Sequence, residues 1–219
     1  MSPTVEEKPP LAADKPKVKL LVLVGAPIVA MVVGFFLWGT RLASVVTPHI
    51  YTGTVFQDSS PAPRFDGLSF SDGTPANLDQ AAGKMVLVFF GYTHCPDICP
   101  TTLDTISTAL TQVENSAERV EVWMISVDPE RDDAQYLEQY VDHFSPSFSG
   151  LSGTQTEIDA VAAAYGVFYQ IHEPDDTGEY LVDHSAQLMG IGPDGSFRIV
   201  WAPDTLADAL ASDINALLG

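Results

Sequence analysis

Cysteine and basic residues are the scarce components of this chain. Its 219 residues include two cysteines, and ten Lys and Arg stand against 29 Asp and Glu, so the formal net charge is −19. Two cysteines are too few to staple a small disulfide-rich domain, and the length suits one ordinary domain with an appendage. The excess of negative charge repels phosphate groups, which argues against nucleic acid as a partner.

Near the N-terminus lies one long uncharged run. Leu20–Trp38 contains 19 residues without a charge, about 28 Å as a helix, which matches the hydrocarbon core of a bilayer. We therefore expect a transmembrane anchor at 20–39, after a disordered cytoplasmic tail at 1–19. The alternatives are a cleaved signal peptide, against which Arg41 argues, and a buried helix of a soluble protein.

The charges on either side of this run set the expected orientation. Four lysines precede it, whereas the first basic residues after it are Arg41 and Arg64. The positive-inside rule then keeps the N-terminus in the cytoplasm and exports the rest of the chain. In a bacterium this gives a single-pass protein of the inner (cytoplasmic) membrane with a periplasmic globular domain. A thiol pair there tends to be oxidised unless a metal or a reductant protects it.

Beyond the anchor, composition predicts a linker at 40–62, rich in proline, glycine and serine, and one globular domain at 63–219. Hydrophobic periodicity predicts strands at 84–91, 120–128, 167–171, 180–182, 186–191 and 197–201, and helices at 101–117, 132–144, 154–165 and 204–218. This order of elements predicts an α/β fold, a thioredoxin-like mixed sheet of four or five strands flanked by helices.

Both cysteines lie in one stretch, Gly91-Tyr-Thr-His-Cys-Pro-Asp-Ile-Cys-Pro100, between the first buried strand and the first long helix. The free N–H groups at a helix N-terminus favour the thiolate, the form that attacks disulfides and binds metals. A proline follows each cysteine, and Pro100 is a natural first residue of the helix. The spacing allows a disulfide or the binding of one ion, and two inert buried cysteines are the third possibility.

This stretch resembles the signature of the Sco/SenC family, whose members are membrane-anchored copper proteins with a thioredoxin-like domain, used in assembling cytochrome c oxidase. Two later stretches are also similar to that family, Ser126-Val-Asp-Pro-Glu-Arg-Asp132 and Val182-Asp-His-Ser185. The three stretches occur in the family's order, and the resemblance covers the chain from about residue 60 to its end. The resemblance therefore implies both a fold and a metal.

The resemblance implies that Cys95, Cys99 and His184 bind copper, as Cu(I), Cu(II) or both. Thiolate and imidazole together suit Cu(I), and imidazole also accepts Cu(II). Judged from the residues alone, His184 also fits a structural role between two short strands. Asp183 is a candidate for the acceptor that orients its imidazole.

Other residues of these types have other expected roles. Three histidines are expected to be solvated or to have surface roles, namely His49, His143 and His172. His94 is expected to point away from its neighbour Cys95. Asp128 is either a turn residue or, as the resemblance suggests, a residue near the metal or a partner. Met189 is expected in the core rather than as a thioether ligand.

The resemblance implies a copper chaperone. It would receive copper from an upstream periplasmic donor and pass it by ligand exchange to the dinuclear copper centre of cytochrome c oxidase subunit II. A second possible function is a thiol–disulfide reductase with Cys95 and Cys99 as the catalytic pair, which an upstream thiol reductant regenerates and which keeps the acceptor's copper-binding cysteines reduced. A third is a copper or redox sensor. Disulfide oxidoreductases of the thioredoxin type use a CxxC pair with a cis-proline opposite it, whereas this chain has CxxxC and no proline at 179–192. These differences favour metal handling over general thiol exchange. Whether the protein is an enzyme stays open.

Overall fold

The computed structural model describes residues 27–35, 48–58 and 60–219. The chain divides into two units, Met1–Pro48 and His49–Gly219. In the first unit residues 27–35 are helical and exposed, and the rest of the expected tail and anchor lies outside the described residues. Within the described ranges, no helix is long and apolar enough to cross a bilayer.

The strands of the second unit form a mixed sheet and a separate ribbon. Their bounds are β1 Thr54–Val55, β2 Ser69–Phe70, β3 Met85–Gly91, β4 Val120–Ser126, β5 Phe148–Ser152, β6 Tyr169–Ile171, β7 Val182–His184, β8 Leu188–Ile191 and β9 Phe197–Trp201. Among the described residues, seven strands build the sheet in the order β1-β9-β8-β3-β4-β5-β2, and β6 and β7 build the ribbon. β3, β4 and β5 run parallel, and the other pairs in the sheet are antiparallel.

The helices of this unit lie between its strands up to residue 164, and one more helix follows the last strand. They are a 3₁₀ helix at Leu78–Ala81 and the α-helices α1 Ile98–Leu110, α2 Ser116–Arg119, α3 Ala134–Asp142, α4 Gln155–Ala164 and α5 Ala207–Leu218. The side chain of Asp133 caps α3, and Thr154 and Glu157 form a capping box at the start of α4. Such side chains satisfy backbone N–H groups that have no partner within the helix, which fixes where each helix begins.

Strand β3 positions the part of the chain that carries the cysteines. All seven of its residues are buried, and it pairs with β4 along one edge and with β8 along the other. A continuous apolar run of this kind suits a strand that is covered on both faces. Because the carboxyl ends of parallel strands meet at one edge of a sheet, the loop after β3 and the turn after β4 are neighbours.

The mixed α/β, thioredoxin-like fold expected from the sequence is confirmed, with more strands than expected. β1 falls in the expected linker and pairs with β9. β5 is absent from the prediction, although it pairs in parallel with β4. Its sequence, Phe-Ser-Gly-Leu-Ser, has neither β-branched residues nor a continuous apolar run, so burial in the sheet rather than local propensity makes it a strand.

Helix α1 differs from its prediction at both ends. It begins at Ile98 rather than at residue 101, so Cys99 lies in its first turn and Pro100 is its third residue. Proline fits throughout the first turn, because N–H groups there have no partner within the helix. The helix ends at Leu110, and Asn115 adopts a left-handed φ of 52° before α2. The periodic pattern over 101–117 therefore extends across a break.

Candidate metal centre

The two cysteines are brought together by the turn that joins β3 to α1. Cys95 lies in the loop and Cys99 in the first turn of the helix, where its backbone N–H donates a hydrogen bond to Sγ of Cys95 over 3.4 Å. Cys99 is fully buried, and Cys95 is 9% exposed. Both cysteines are free thiols.

His184 reaches the same place from the other end of the domain sequence. It is the last residue of β7, and its Nε2 lies 3.3 Å from Sγ of Cys99. Its Nδ1 lies 3.2 Å from the carbonyl oxygen of Ser185, and the rings of Phe89 and Tyr92 pack edge-on against the imidazole. When Nδ1–H donates to that carbonyl, the lone pair of Nε2 faces the sulfur.

Sγ of Cys95, Sγ of Cys99 and one ring nitrogen of His184 all lie within 4.8 Å of one another. Two sulfur ligands and one imidazole nitrogen form a donor set that suits a soft cation such as Cu(I). Among the residues that the structure describes, this is the group of three that meets the distance requirement for a shared ion. The chemistry of the donor set therefore fits copper.

The protonation of the two thiols is unequal. The pKa of Cys95 falls to about 5, chiefly because the Cys99 thiol donates a hydrogen bond to its sulfur, and backbone N–H groups of Asp97 and Cys99 add to this against the opposing effect of burial. The pKa of Cys99 is raised, because its thiol donates that bond and because it is buried. At neutral pH the metal-free pair thus carries one negative charge, centred on Cys95.

The prediction that Asp183 orients the imidazole of His184 is wrong. The carboxylate of Asp183 bonds instead to His172, whose Nε2 lies 2.8 Å from Oδ2, and both side chains are largely exposed. Asp183 and His184 are adjacent residues of one strand, and adjacent side chains on a strand point to opposite faces. The imidazole of His184 is oriented by the backbone carbonyl of Ser185 instead.

The other residues considered as metal ligands lie outside the group of three. His94 and His143 are exposed, and Nδ1 of His94 lies 3.0 Å from Oγ1 of Thr93. Met189 is fully buried in β8, as expected for a core residue. His49 departs from expectation: its Nε2 lies 2.8 Å from the buried carboxylate of Asp213, and the histidine side chain is 29% exposed.

Residues of the stretch 126–132 contact the segments that carry the site without belonging to the group of three. Asp128 and Asp132 are both fully buried. The carboxylate of Asp132 accepts hydrogen bonds from the backbone N–H and the hydroxyl of Thr93. Asp128 accepts from Nε of Arg131 over 2.6 Å and from the hydroxyl of Tyr180 over 2.7 Å.

Sequence reasoning overlooked Tyr180 and Thr93, since nothing local marks either residue. A signal was available for their partner: Arg131 is the sole Lys or Arg between residues 120 and 197 of an acidic chain. Its guanidinium lies over the ring of Tyr180, 3.5 Å from the centroid. A lone cation in so acidic a stretch indicates a specific structural or functional contact.

The known proteins that this chain resembles include several Sco proteins. The human mitochondrial SCO1 homologue is 40% identical over 134 residues, which are 60% of this chain and 44% of that protein. This chain thus aligns with less than half of the human protein. Apo Sco1 from Thermus thermophilus is 37% identical with a TM-score of 0.68, covering 78% of this chain and 99% of the other. ScoI from Bradyrhizobium japonicum with copper bound is 34% identical with a TM-score of 0.62, covering 75% and 98%.

A family model described as SCO1/SenC matches residues 59–219, which is most of the chain. The matched region contains the CxxxC stretch, the 126–132 stretch and His184. This protein belongs to the SCO1/SenC family.

Proposed function

We propose that this protein is a copper chaperone that binds copper through Cys95, Cys99 and His184 and delivers it to subunit II of cytochrome c oxidase during assembly. The observation that carries the proposal is the convergence of two sulfurs and one imidazole nitrogen within 4.8 Å. Relatives support it, because the solved ScoI proteins of Bradyrhizobium japonicum and Arabidopsis thaliana hold copper. The Sco family is described as one of cytochrome c oxidase assembly proteins.

The protonation state of the site suits a cargo that must be both held and released. Cys95 is already a thiolate at neutral pH, whereas Cys99 must lose its proton when copper binds, since the thiolate is the ligand. The affinity for copper therefore rises with pH. A proton returning to Cys99 assists release.

Release to an acceptor proceeds by ligand exchange. Cys99 is fully buried and His184 is half-buried, so an incoming thiolate approaches from the side of the imidazole and replaces that ligand first. The two protein sulfurs are replaced afterwards. The acceptor's own ligands then hold the metal.

The location that fits this role is the outer face of the inner membrane. The uncharged run at 20–39 acts as the anchor, and the lysines before it keep the N-terminus in the cytoplasm. The domain then faces the periplasm, where a donor protein supplies copper. Extraction of membranes with carbonate tests the anchor: the chain stays in the pellet if residues 20–39 span the bilayer.

Copper titration tests the metal proposal. The full chain, purified in mild detergent and reduced, is titrated with Cu(I) against a competing chelator such as bicinchoninate, alongside Cys95→Ser, Cys99→Ser and His184→Ala. We expect one Cu(I) per wild-type chain. Each variant should lose more affinity than the loss of a residue that only hydrogen-bonds to a ligand would cause, which is about 10- to 100-fold. His143→Ala, an exposed histidine, is the matched control. Equal affinities for His184→Ala and the wild type would remove His184 from the site.

A thiol–disulfide reductase is the second candidate, and the lowered pKa of Cys95 favours it. The Cys95 thiolate would attack an acceptor disulfide, and Cys99 would resolve the mixed disulfide, leaving a Cys95–Cys99 disulfide and two reduced thiols on the acceptor. A thiol reductant would then restore the pair. This reaction needs both cysteines and not His184, so a His184→Ala strain that assembles oxidase normally would favour it over delivery.

A further inference from the structure

We infer that the turn 126–132 is a clamp that sets the distance between the cysteine pair and His184, with Asp132 holding the cysteine loop and Asp128 with Arg131 holding the ribbon. None of these three residues belongs to the group of three ligand candidates. They are positioning residues. The inference rests on the proposed copper site for one of its two readouts, and the other readout needs no metal.

The first arm of the clamp holds the loop that carries Cys95. The buried carboxylate of Asp132 accepts from the backbone N–H of Thr93 over 3.0 Å and also from the Thr93 hydroxyl. Its Oδ2 accepts from the hydroxyl of Ser126 over 2.7 Å. Because Asp132 lies in the turn after β4 and Thr93 in the loop after β3, these bonds join the ends of two neighbouring parallel strands.

The second arm holds the ribbon that carries His184. The hydroxyl of Tyr180 donates to Oδ1 of Asp128 over 2.7 Å. Nη1 of Arg131 donates to the carbonyl oxygen of the same tyrosine over 2.9 Å, and Nε of Arg131 donates to Oδ2 of Asp128. Tyr180 is thus bound through its ring, its hydroxyl and its backbone, four residues before His184.

The ribbon depends on such ties because it is short and peripheral. β6 and β7 pair over three residues each, and the segment 172–179, which follows β6, is exposed throughout. A two-stranded ribbon of this length is not stable by itself in water. Contacts with neighbouring elements are therefore needed to keep the ribbon in place and the imidazole of His184 near the sulfur of Cys99.

The backbone of the ribbon has one further tie, which completes the connection to the cysteine loop. The N–H of Val182 donates to the hydroxyl of Tyr92 over 3.2 Å, and the Tyr92 ring packs against His184. Arg131 also lies over the Tyr92 ring, 5.7 Å from its centroid. The clamp, the loop and the ribbon thus share one network of aromatic and charged contacts.

Hydrogen exchange of the reduced, copper-free full chain tests the clamp directly. Arg131→Lys keeps the charge but loses the planar fork that spans Asp128 and the Tyr180 carbonyl, and Tyr180→Phe removes a single hydroxyl. We expect amides in 169–184 to exchange roughly tenfold or more faster in Arg131→Lys, the change produced by losing one charge-assisted hydrogen bond. Amides of helix α1 should keep their rates. Tyr136→Phe, an exposed tyrosine on α3, is the control.

Copper affinity gives the second readout as a double-mutant cycle. Arg131→Lys should lower the Cu(I) affinity about 10- to 100-fold in the wild-type background and cause no further loss in the His184→Ala background, since the clamp acts through that imidazole. X-ray absorption of the Arg131→Lys chain should show a weakened imidazole contribution, with the sulfur contribution kept.

The outcomes separate the clamp from the proposed function. Unchanged exchange at 169–184 in both Arg131→Lys and Tyr180→Phe would overturn the clamp, and so would an affinity loss that persists in the His184→Ala background. If His184→Ala alone leaves copper affinity unchanged, the proposed ligand set fails, and hydrogen exchange still decides the clamp. Should Arg131→Lys fail to fold, Tyr180→Phe carries both readouts.

Discussion

Gly91 has no side chain, and this leaves room for the sulfur of Cys99 beside it. A Cβ placed on Gly91 would lie 3.0 Å from that sulfur, 2.7 Å from a ring carbon of Phe89 and 3.2 Å from the terminal methyl of Met124. The glycine is the last residue of β3 and is buried. The absence of a side chain there lets α1 approach the strand closely enough to put Cys99 in the site.

Gly91→Ala should therefore disturb both stability and copper binding. Overpacking at this position is expected to lower the free energy of unfolding by about 1–3 kcal/mol. It should also weaken Cu(I) binding, because the added methyl displaces Phe89 and the sulfur of Cys99 from their positions. Urea unfolding and chelator competition measure the two effects. Gly73→Ala is the control, since Gly73 has a positive φ and open space around it. That variant should lose stability through backbone strain alone and keep its copper affinity.

The sequence was informative where local patterns decide the structure. The buried strand β3, the capped helix α4 and the hairpin of β8 and β9 follow from hydrophobic periodicity and turn residues. The convergence of the cysteines with His184 could be expected through family resemblance, not through spacing, because 85 residues separate Cys99 from His184.

What could not be predicted depends on long-range pairing. The partner of Asp183 follows from the register of the ribbon, in which Gln170 lies opposite Asp183 and His172 comes two residues later. The bond between His49 and Asp213 joins residues 164 apart. No local propensity encodes such contacts, because they form when separate elements pack together.

The corrected role of Asp183 gives a prediction about metal affinity. Asp183→Asn should leave Cu(I) affinity within experimental error of the wild type, because the carboxylate contacts the exposed His172 and not the imidazole of His184. Chelator competition on the full chain measures this, with His184→Ala as the variant that must weaken binding. A tenfold loss in Asp183→Asn would restore the carboxylate to the role that the sequence suggested.

The unequal thiols predict a pH profile for alkylation of the copper-free protein. The thiolate fraction of Cys95 rises as the pH passes through its pKa of about 5, so its reaction with iodoacetamide should rise through that range and then level off. Cys99 should stay unreactive across it, because its pKa is raised. Mass spectrometry of peptides quenched between about pH 4 and pH 8 distinguishes the two sites. This range brackets the Cys95 pKa of about 5 and stays below the ordinary cysteine pKa of about 8.5.

Cys99→Ala provides the control for this profile. It removes the thiol that donates to Cys95 and keeps the backbone N–H of residue 99. The pKa of Cys95 should then rise, and the alkylation profile should move to higher pH. A Cys95 profile that is the same in both proteins would mean that the neighbouring thiol does not stabilise the thiolate.

Asp213 predicts how stability depends on acid. Its carboxylate, 1% exposed, accepts hydrogen bonds from Nε1 of Trp201 and from the N–H groups of Thr52 and Gly53, and it pairs with His49. Burial raises the pKa of this carboxyl, but these bonds together hold it below its usual value. A lowered carboxyl pKa stabilises the folded state above the unfolded value of about 3.9, and this contribution is lost as the pH falls through the folded pKa.

Asp213→Asn should accordingly lower the free energy of unfolding at pH 7 by about 1–3 kcal/mol. The asparagine has one acceptor oxygen, and its NH₂ group would face N–H donors that the carboxylate now accepts from. The difference from the wild type should begin to shrink as the pH falls below about 4, where the unfolded wild-type chain takes up the proton. It should be lost once the pH is below the lowered folded-state pKa, where the folded wild-type carboxyl is protonated too. Urea unfolding across this range measures it. Asp208→Asn, at an exposed position of the same helix, is the control and should lower the free energy of unfolding less than Asp213→Asn does. A gap between Asp213→Asn and the wild type that stays constant down to the acid limit would show that the charge of Asp213 does not stabilise the fold.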